Sequence, residues 1–315
     1  MREKRVNLKI PAYVRETLTA LETAGHQAYC VGGCVRDTLL GRVPGDWDVT
    51  TAARPEQVLA LFDGCAIPTG LKHGTVTVRA EGMGIEVTTF RADGTYTDHR
   101  RPDAVTFSRR LEDDLSRRDL TVNAMAMDRR GQITDLFGGR EDLKAGVLRC
   151  VGDPERRFRE DALRILRTLR FAAVLGFAIE PRTAAALHET APLLKYIAPE
   201  RILSEMDRAL CGGHILPVLL DCGMDILNPI QPECMNPAEI YRAYHDRVVL
   251  WGTIGTQTTM PFGTPDDVRT KAREMLELAK KEGRLILAPT HLLEPEVPLE
   301  NLDALTETVR NFSCR

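Results

Sequence analysis

The pattern of apolar and polar positions predicts a strand, a tight turn and a helix near the start of the chain. A β-type apolar run ends at Val31, Gly32 and Gly33 follow it, and an amphipathic helix begins near Val35. Residues 85–91 alternate between apolar and polar side chains, as a half-buried strand does. The first part of the chain therefore contains strands as well as helices.

The periodicity becomes helical in the middle of the chain. Asp153 and Pro154 open a long pattern of helical spacing that reaches Phe171 and predicts one helix. Asp161 and Arg164 stand three positions apart, so we expect them to share a face of this helix. Taken alone, this spacing predicts an intrahelical salt bridge worth about 0.2–0.5 kcal/mol.

Strands and helices alternate in the last third of the chain, after a shift in composition that is marked by several prolines. The predicted strands are residues 225–228, 248–251 and 285–288, and the predicted helices are residues 237–244, 265–281 and 300–311. Repeated βα units imply parallel strands.

The composition is that of an ordinary soluble globular protein, with 43% hydrophobic and 28% charged residues in a chain of 315. This length accommodates two or three domains, each with its own core. No apolar run approaches a membrane span, and the N-terminus lacks the apolar segment of a secretion signal. We therefore expect a cytoplasmic protein without a membrane partner. Eight cysteines without a Cys-x-x-Cys pair predict reduced thiols and no zinc site.

The charges are distributed unevenly along the chain. The net charge of −3 gives no argument for nucleic-acid binding, but arginines crowd residues 91–118 and 149–170. They form either a basic face that follows a phosphate backbone or solvated helix faces with acidic partners. The sequence leaves both interpretations open.

The glycine turn is a candidate site for an anion. Gly32 and Gly33 let the backbone approach a bulky ligand and aim its N–H groups at it, and a helix N-terminus favours negative charge there. Arg36 adds a positive fork that suits phosphate oxygens. A Gly-Gly pair alone most often marks only a tight turn.

Two carboxylates follow the glycine turn within a few residues. Asp46 and Asp48 alternate around Trp47, so in an extended segment both side chains face the same side. Two carboxylates on one side repel each other unless a cation lies between them, and hard oxygen ligands suit Mg²⁺. An isolated Asp-x-Asp is more often a solvated turn.

Together these residues resemble the first catalytic motif of the nucleotidyltransferase superfamily. The string Gly-Gly-Cys-Val-Arg-Asp-Thr-Leu-Leu-Gly from Gly32, followed by Asp-Trp-Asp, looks like the class II branch, the CCA-adding tRNA nucleotidyltransferases and bacterial poly(A) polymerases. Further motifs of that family are similar to Thr-Gly-Leu-Lys-His-Gly-Thr-Val from Thr69, Arg-Arg-Asp-Leu-Thr-Val-Asn-Ala from Arg117 and Glu-Asp-Ala-Leu-Arg from Glu160. The resemblance covers about residues 1–215.

The resemblance implies a fold and a set of site residues. It implies an α+β nucleotidyltransferase head over residues 1–145, with a mixed sheet and flanking helices, and an all-α neck over residues 146–218. The implied metal ligands are Asp46 and Asp48, with Glu86 either a third catalytic carboxylate or an exposed strand residue. The implied nucleotide-binding residues are Gly32, Gly33 and Arg36 at the triphosphate, Arg118 and Asp119 at the ribose, Asp161 and Arg164 at the base, and Arg167. The polar segment from Gly94 to Pro102 would be a mobile loop near the active site.

The chemistry of the bases explains the neck motif. Cytosine and adenine both present an exocyclic amino donor beside a ring-nitrogen acceptor, whereas uracil and guanine present a carbonyl and an N–H. A carboxylate at Asp161 and a guanidinium at Arg164 would accept the first pattern and refuse the second. Glu200, Arg201 and Glu205 resemble the last family motif, which would support this helix.

The implied function is the addition of C, A or both, from CTP and ATP, to a tRNA 3′ end without a nucleic-acid template. Two Mg²⁺ ions would assist nucleotidyl transfer. The sequence leaves open whether CCA, A or poly(A) is added, and it says nothing of the oligomeric state. A different class of function is also open, a non-catalytic remnant that binds nucleotide or RNA.

Residues 219–315 resemble the last part of the uroporphyrinogen decarboxylase-like (β/α)₈ barrels. The resemblance lies in strings such as Trp-Gly-Thr-Ile-Gly-Thr-Gln and Ala-Pro-Thr-His-Leu-Leu, and His291 matches a position in that family's site. Decarboxylase or methyltransferase activity is thus a third possibility. Because a barrel needs all eight strands to close, we expect a partial βα segment with open sheet edges. Residues 216–223 suit either family, which suggests that two genes were joined there, in nature or by assembly or recombination.

Overall fold

The computed structural model of the protein describes residues 10–94 and 105–313. The chain divides into two compact units, Met1–Ile215 and Leu216–Arg315. The division into residues 1–145, 146–218 and 219–315 stays a prediction. Among the described residues, no helix combines the length and the apolarity needed to cross a bilayer, and the described cysteines are free thiols.

The first unit begins with a mixed sheet and its helices, as predicted for the head. The strands of the head are β1 (Ala28–Val31), β2 (Asp48–Thr51), β3 (Ala66–Gly70), β4 (Thr75–Ala80), β5 (Met83–Thr89), β6 (Arg91–Asp93), β7 (Val105–Phe107), β8 (Met125–Met127) and β9 (Ile133–Asp135). The helices of the head are α1 (Ala12–Thr23), α2 (Gly33–Leu39), α3 (Pro55–Leu61), α4 (Leu111–Ser116) and α5 (Gly139–Ala145).

The order of the strands in the head sheet is β3-β4-β5-β2-β1-β8-β9, while β6 and β7 pair separately. The pairing of β2 with β5 is parallel, and the other neighbours in the sheet are antiparallel. In the β2–β5 pair, Asp48 lies opposite Glu86. Residues directly opposite each other in a sheet share a face, so both carboxylates belong to one side of the head.

The neck is helical apart from one short strand pair. Its helices are α6 (Pro154–Glu160), α7 (Leu163–Leu175), α8 (Pro181–Thr190) and α9 (Pro199–Leu210), and its strands β10 (Val147–Leu148) and β11 (Ala178–Ile179) pair in parallel. The next helix, α10 (Ile215–Asp221), begins at the last residue of the first unit.

The prediction of one helix across Asp161 was wrong, because the neck changes helix at this residue. Asp161 has an extended backbone with φ −138° and ψ 104°, and its Oδ1 accepts a hydrogen bond from the N–H of Leu163 at 3.1 Å. An aspartate side chain that binds a nearby N–H competes with the helical backbone and favours a helix start. The carboxylate of Asp161 therefore lies between the two helices and not on a helix face shared with Arg164.

The second unit is built on a small parallel sheet, as the repeated βα pattern predicts. Its strands are β12 (Ile226–Ile230), β13 (Val249–Ile254) and β14 (Leu285–Pro289), and its further helices are α11 (Pro237–Tyr244), α12 (Thr259–Phe262), α13 (Pro265–Ala279) and α14 (Leu299–Asn311). The order is β12-β13-β14 with parallel pairing throughout.

The two faces of this small sheet differ in their cover. On one face Leu250 packs in a core with residues of α11 and α13, among them Tyr241 and Met275. On the other face Ile226, Trp251 and Ile286 are 47%, 43% and 43% exposed. Parallel sheets in complete barrels are covered on both faces. This three-stranded sheet therefore has one face that is only partly covered.

Candidate active site

The glycine turn brings Gly32 next to a charged pair. Gly32 has φ +81°, and a Cβ atom at this position would lie 3.2 Å from Nη1 of Arg118 and 3.9 Å from Oδ2 of Asp48. A side chain here would be strained and would press on the guanidinium. The turn, the aspartate and the arginine that the motifs predicted therefore meet at one point.

Three carboxylates influence one another beside this turn. Asp48 begins β2 and is partly buried, Asp46 precedes it and is exposed, and Glu86 lies opposite on β5. Burial, together with the negative charges of Asp46 and Glu86 and against the charge of Arg118, raises the pKa of Asp48 to about 6. Negative charge is thus in excess at this end of the sheet.

The donor set fits a hard divalent cation by its chemistry. All three groups are carboxylates, which Mg²⁺ and similar ions prefer, and the raised pKa of Asp48 is the effect that an added positive charge would reverse. Within residues 10–94 and 105–313, however, no group of three or more His, Cys, Asp and Glu side chains is arranged to hold a metal ion. The candidate metal ligands are therefore Asp46 and Asp48. The charge of Glu86 acts on Asp48, but the three carboxylates do not converge on one point.

Arg36 lies beside the glycine turn, and most of its N–H groups donate to protein acceptors. Its guanidinium donates to both carboxylate oxygens of Asp37 at 2.8 and 3.0 Å and to Oδ1 of Asn123 at 2.7 Å. It is buried and lies 3.6 Å from the Cβ position of Gly33. Three of its five N–H groups are engaged, so this arginine supports the turn and has two donors left.

Asp114, which the motif analysis did not single out, holds the arginine pair. Its Oδ1 accepts from Nε and Nη2 of Arg117 at 3.0 and 2.7 Å, and its Oδ2 accepts from Nη2 of Arg118 at 3.2 Å and from Oγ1 of Thr50 at 3.1 Å. Burial opposes ionisation of Asp114, but the charges of the two arginines keep its pKa below the usual range. The available signal was an acid four residues before Arg118, which is the spacing of a helical ion pair.

Asp119 is a buried acceptor that joins the head to the neck. It accepts from the backbone N–H of Leu120 at 2.8 Å, from Nδ2 of Asn123 at 3.3 Å and from Nε of Arg167 at 2.7 Å. Burial opposes its ionisation, but the charge and hydrogen bonds of Arg167, together with the charge of Arg164, hold the pKa of Asp119 well below its usual range. The carboxylate predicted to meet the ribose is therefore ionised and already bound to the neck.

Asp161 and Arg164 do not share a helix face, contrary to the prediction from their spacing. Arg164 does not pair with Asp161 in the described chain; its Nη1 donates to Oε2 of Glu160 at 3.0 Å and its Nη2 to the carbonyl oxygen of Arg117 at 3.1 Å. Burial raises the pKa of Asp161, against the backbone hydrogen bond from Leu163 and the charge of Arg164. The arginine is fixed by Glu160, and the aspartate stands apart from it.

The ring of Phe171 contacts three guanidinium groups where the head meets the neck. The ring centroid of Phe171 lies 4.9 Å from Cζ of Arg36, 5.8 Å from Cζ of Arg167 and 4.2 Å from Cζ of Arg170. Arg170 also forms an ion pair with Glu205 of α9 at 2.6 Å. A cation over an aromatic face is attracted to it, so Phe171 links the helix of the glycine turn to the neck.

The remaining predicted positions are less informative. Glu200 and Arg201 lie in the first turn of α9, and His291 is exposed after β14. Of the predicted loop from Gly94 to Pro102, all but Gly94 lies outside the described residues.

Three family models match this chain. One described as the poly A polymerase head domain matches residues 28–149, and one described as a probable RNA and SrmB-binding site of polymerase A matches residues 176–234. A third, described as uroporphyrinogen decarboxylase (URO-D), matches residues 209–312. The second and third overlap across the predicted junction.

Known proteins match the first two parts closely. The chain is 55% identical over 197 residues to the CCA-adding enzyme of Leuconostoc mesenteroides, covering 62% of this chain and 49% of the relative. It is 51% identical over 254 residues to the CCA-adding enzyme of Geobacillus stearothermophilus, covering 77% of this chain and 63% of the relative.

A solved structure shares the fold. The crystal structure of the Bacillus stearothermophilus CCA-adding enzyme in complex with CTP superposes with a TM-score of 0.62 at 47% identity, covering 66% of this chain and 50% of that one. This chain thus spans about half to two thirds of the length of the relatives that it matches. The motifs, the mixed sheet and these matches agree, and the head and neck of this chain belong to the class II family of CCA-adding tRNA nucleotidyltransferases and poly(A) polymerases.

Proposed function

We propose that this protein adds C and A from CTP and ATP to the 3′ end of tRNA, with Mg²⁺ as its metal ion. The observation that supports this most directly is the meeting of the Gly32 turn, Asp48 and Arg118 at one point of the head. The relatives that match are named CCA-adding enzymes, and one of them was solved with CTP. The expected cytoplasmic location stays a prediction.

The metal would be held by Asp46 and Asp48. Nucleotidyltransferases of this family generally use divalent metals, and the excess of carboxylate charge around Asp48 favours binding of a cation there. When bound, Mg²⁺ supplies Lewis-acid stabilisation of phosphate charge and makes the 3′-hydroxyl easier to deprotonate. Glu86 would add negative charge opposite Asp48 without direct contact being required.

The triphosphate would lie against the glycine turn. The Nη1 group of Arg118 is a donor that lies beside this turn, and charge-assisted donors are the strongest partners of phosphate oxygens. Arg36 would contribute through its positive charge and through the shape it gives to the turn. Its two remaining N–H groups are the donors still open to a phosphate.

The base would be selected by Asp161 and Arg164 from the neck. Within the described residues Arg164 uses both N–H groups of Nη1 and one of Nη2, for Glu160, Arg157 and Arg117, which leaves Nε and one N–H for a ring nitrogen. Oδ1 of Asp161 accepts from Leu163, which leaves Oδ2 for an exocyclic amino group. Because Asp161 and Arg164 do not hydrogen-bond to each other, both side chains would be available to bind the same base.

The test offers each nucleoside triphosphate separately to the full chain with tRNA that lacks its 3′ CCA. We expect incorporation of C and then A, little of U or G, and loss of incorporation with excess EDTA that added Mg²⁺ restores. Long homopolymer tails from ATP alone would assign poly(A) synthesis instead. No incorporation of any nucleotide, by protein that is folded, would refute the proposed activity.

A further inference from the structure

We propose that Asp114 is a positioning residue, whose buried carboxylate holds the Arg118 guanidinium against the Gly32 turn where the incoming nucleotide would lie. The inference rests on the proposed function for its kinetic consequences, but the contact itself can be tested without activity. Asp114 would touch no substrate atom; it would act through Arg118.

Arg118 is held at one edge of its guanidinium group. Among the described residues, Asp114 is the acceptor of the hydrogen bond from its side chain, through Nη2 at 3.2 Å. Nε of Arg118 is buried without a hydrogen-bond partner, and Nη1 faces Gly32. A guanidinium held at one edge is free to present its other edge to a ligand.

The carboxylate of Asp114 is itself buried and fully hydrogen-bonded. The side chain of Asp114 has no exposed surface, and its oxygens accept four hydrogen bonds, from Arg117, Arg118 and Thr50. Thr50 belongs to β2, the strand that Asp48 begins. Strand β2 therefore carries both Asp48, a candidate metal ligand, and Thr50, which donates to Asp114. Because both residues are on one strand, the strand fixes the position of Asp114, and through it of Arg118, relative to Asp48.

The charges around Asp114 do not cancel. One carboxylate serves two guanidinium groups, so the cluster of Asp114, Arg117 and Arg118 has a net positive charge of one. That surplus lies on the side of Gly32, where Arg118 lowers the pKa of Asp48 by its charge. An arginine whose charge is fully neutralised would attract a triphosphate less strongly. An arginine side chain without an anchor would lose conformational entropy on binding, which would weaken the affinity.

The kinetic test compares Asp114→Asn with Glu112→Gln in the full chain. Glu112 lies on the same helix but is exposed and pairs with Arg110 at the surface, so its replacement controls for charge removal. We expect Asp114→Asn to raise KM for CTP about tenfold with kcat changed less, because a charged hydrogen bond is worth about 1.5–3 kcal/mol. A purely structural role would lower kcat with the amount of folded protein and leave KM unchanged, and that result would overturn the proposal.

A double-mutant cycle asks whether Asp114 acts through Arg118. If it does, adding Asp114→Asn to Arg118→Gln changes KM by less than about twofold, although each single variant raises it. Independent, multiplying effects would mean that Asp114 acts by another route and would contradict the inference. Should Asp114→Asn fail to fold, Thr50→Val takes its place, since it removes one hydrogen bond to the same carboxylate and is expected to raise KM about threefold.

A chemical readout separates this inference from the proposed function. Phenylglyoxal modifies arginine side chains, and peptide mapping reports the rate at Arg118 alone. We expect modification about tenfold faster in Asp114→Asn than in the wild type and an unchanged rate in Glu112→Gln. Equal rates in all three proteins would overturn the positioning role. A wild type that incorporates no nucleotide would refute the proposed function, while the modification rates would still decide this contact.

Discussion

Arg167 of α7 donates to the carboxylate of Asp119 at 2.7 Å, which joins a neck helix to the head. The carboxylate is buried in the same segment that carries Arg118, and the arginine precedes Phe171 by one helical turn. Because a buried carboxylate is costly unless it is paired, this contact stabilises the arrangement of the two parts only while Asp119 is ionised. The geometry of the candidate site therefore depends on pH through Asp119.

The first prediction concerns stability in acid. The pKa of Asp119 is below its value of about 3.9 in unfolded chains, so its contribution is complete above about pH 4 and is lost as pH falls through the folded pKa. Asp119→Asn should lower the free energy of unfolding by about 1–3 kcal/mol at pH 7, and this difference should shrink below pH 4. Urea titrations between pH 7 and pH 3 measure it, with exposed Asp63→Asn as the control. A difference that grows toward low pH would contradict the assignment.

The second prediction concerns the glycine turn. Gly32→Ala and Gly82→Ala both place a side chain at φ near +80° and should each cost about 1–2 kcal/mol of stability. Only at Gly32 does the added carbon meet a guanidinium, whereas nothing lies within 4 Å at Gly82. Gly32→Ala should therefore lose CTP binding in equilibrium dialysis, while Gly82→Ala keeps it. Equal binding by both variants would show that the turn does not form the nucleotide site.

The third prediction concerns Asp48. Asp48→Ala should reduce nucleotide incorporation by about a hundredfold or more, since it removes one of the carboxylates proposed to hold the metal. The melting temperature should not fall, because burial and two like charges disfavour the ionised side chain in the fold. Asp63→Ala, at an exposed position after α3, is the matched control. Wild-type incorporation by Asp48→Ala would remove the metal role.

The fourth prediction concerns base selection. Asp161→Ala should raise the ratio of UTP to CTP incorporation about tenfold, because loss of one charged acceptor removes the contact that distinguishes an amino group from a carbonyl. Glu155→Gln is the control, since Glu155 is half-exposed and pairs with Arg159 within the same helix, α6. An unchanged ratio in Asp161→Ala would place selection elsewhere.

Much of the head could be predicted from the sequence because its signals are local. The strand before Gly32 and the turn itself follow from the local pattern of residues, and the resemblance adds their roles. The pairing of Asp48 with Glu86 brings together residues far apart in the sequence. The family resemblance made Glu86 a candidate, while spacing alone could not have placed it opposite Asp48.

The contacts that were missed are those in which one side chain has several possible partners. Arg164 could pair with Glu160 or Asp161 by spacing, and the extended backbone at Asp161 decides for Glu160. Asp114 is one of several acids on α4, and only its burial distinguishes it from Glu112. Burial depends on the packing of the whole unit, so short motifs cannot reveal it.

Ile226, Trp251 and Ile286 leave one apolar face of the parallel sheet in contact with water. Water ordered around such a face is released when another apolar surface covers it. The favourable free energy of covering the face increases on warming and with salts such as sulfate. The concentration at which this protein precipitates should therefore fall on warming and on addition of ammonium sulfate, and Trp251→Ser should shift that threshold upward.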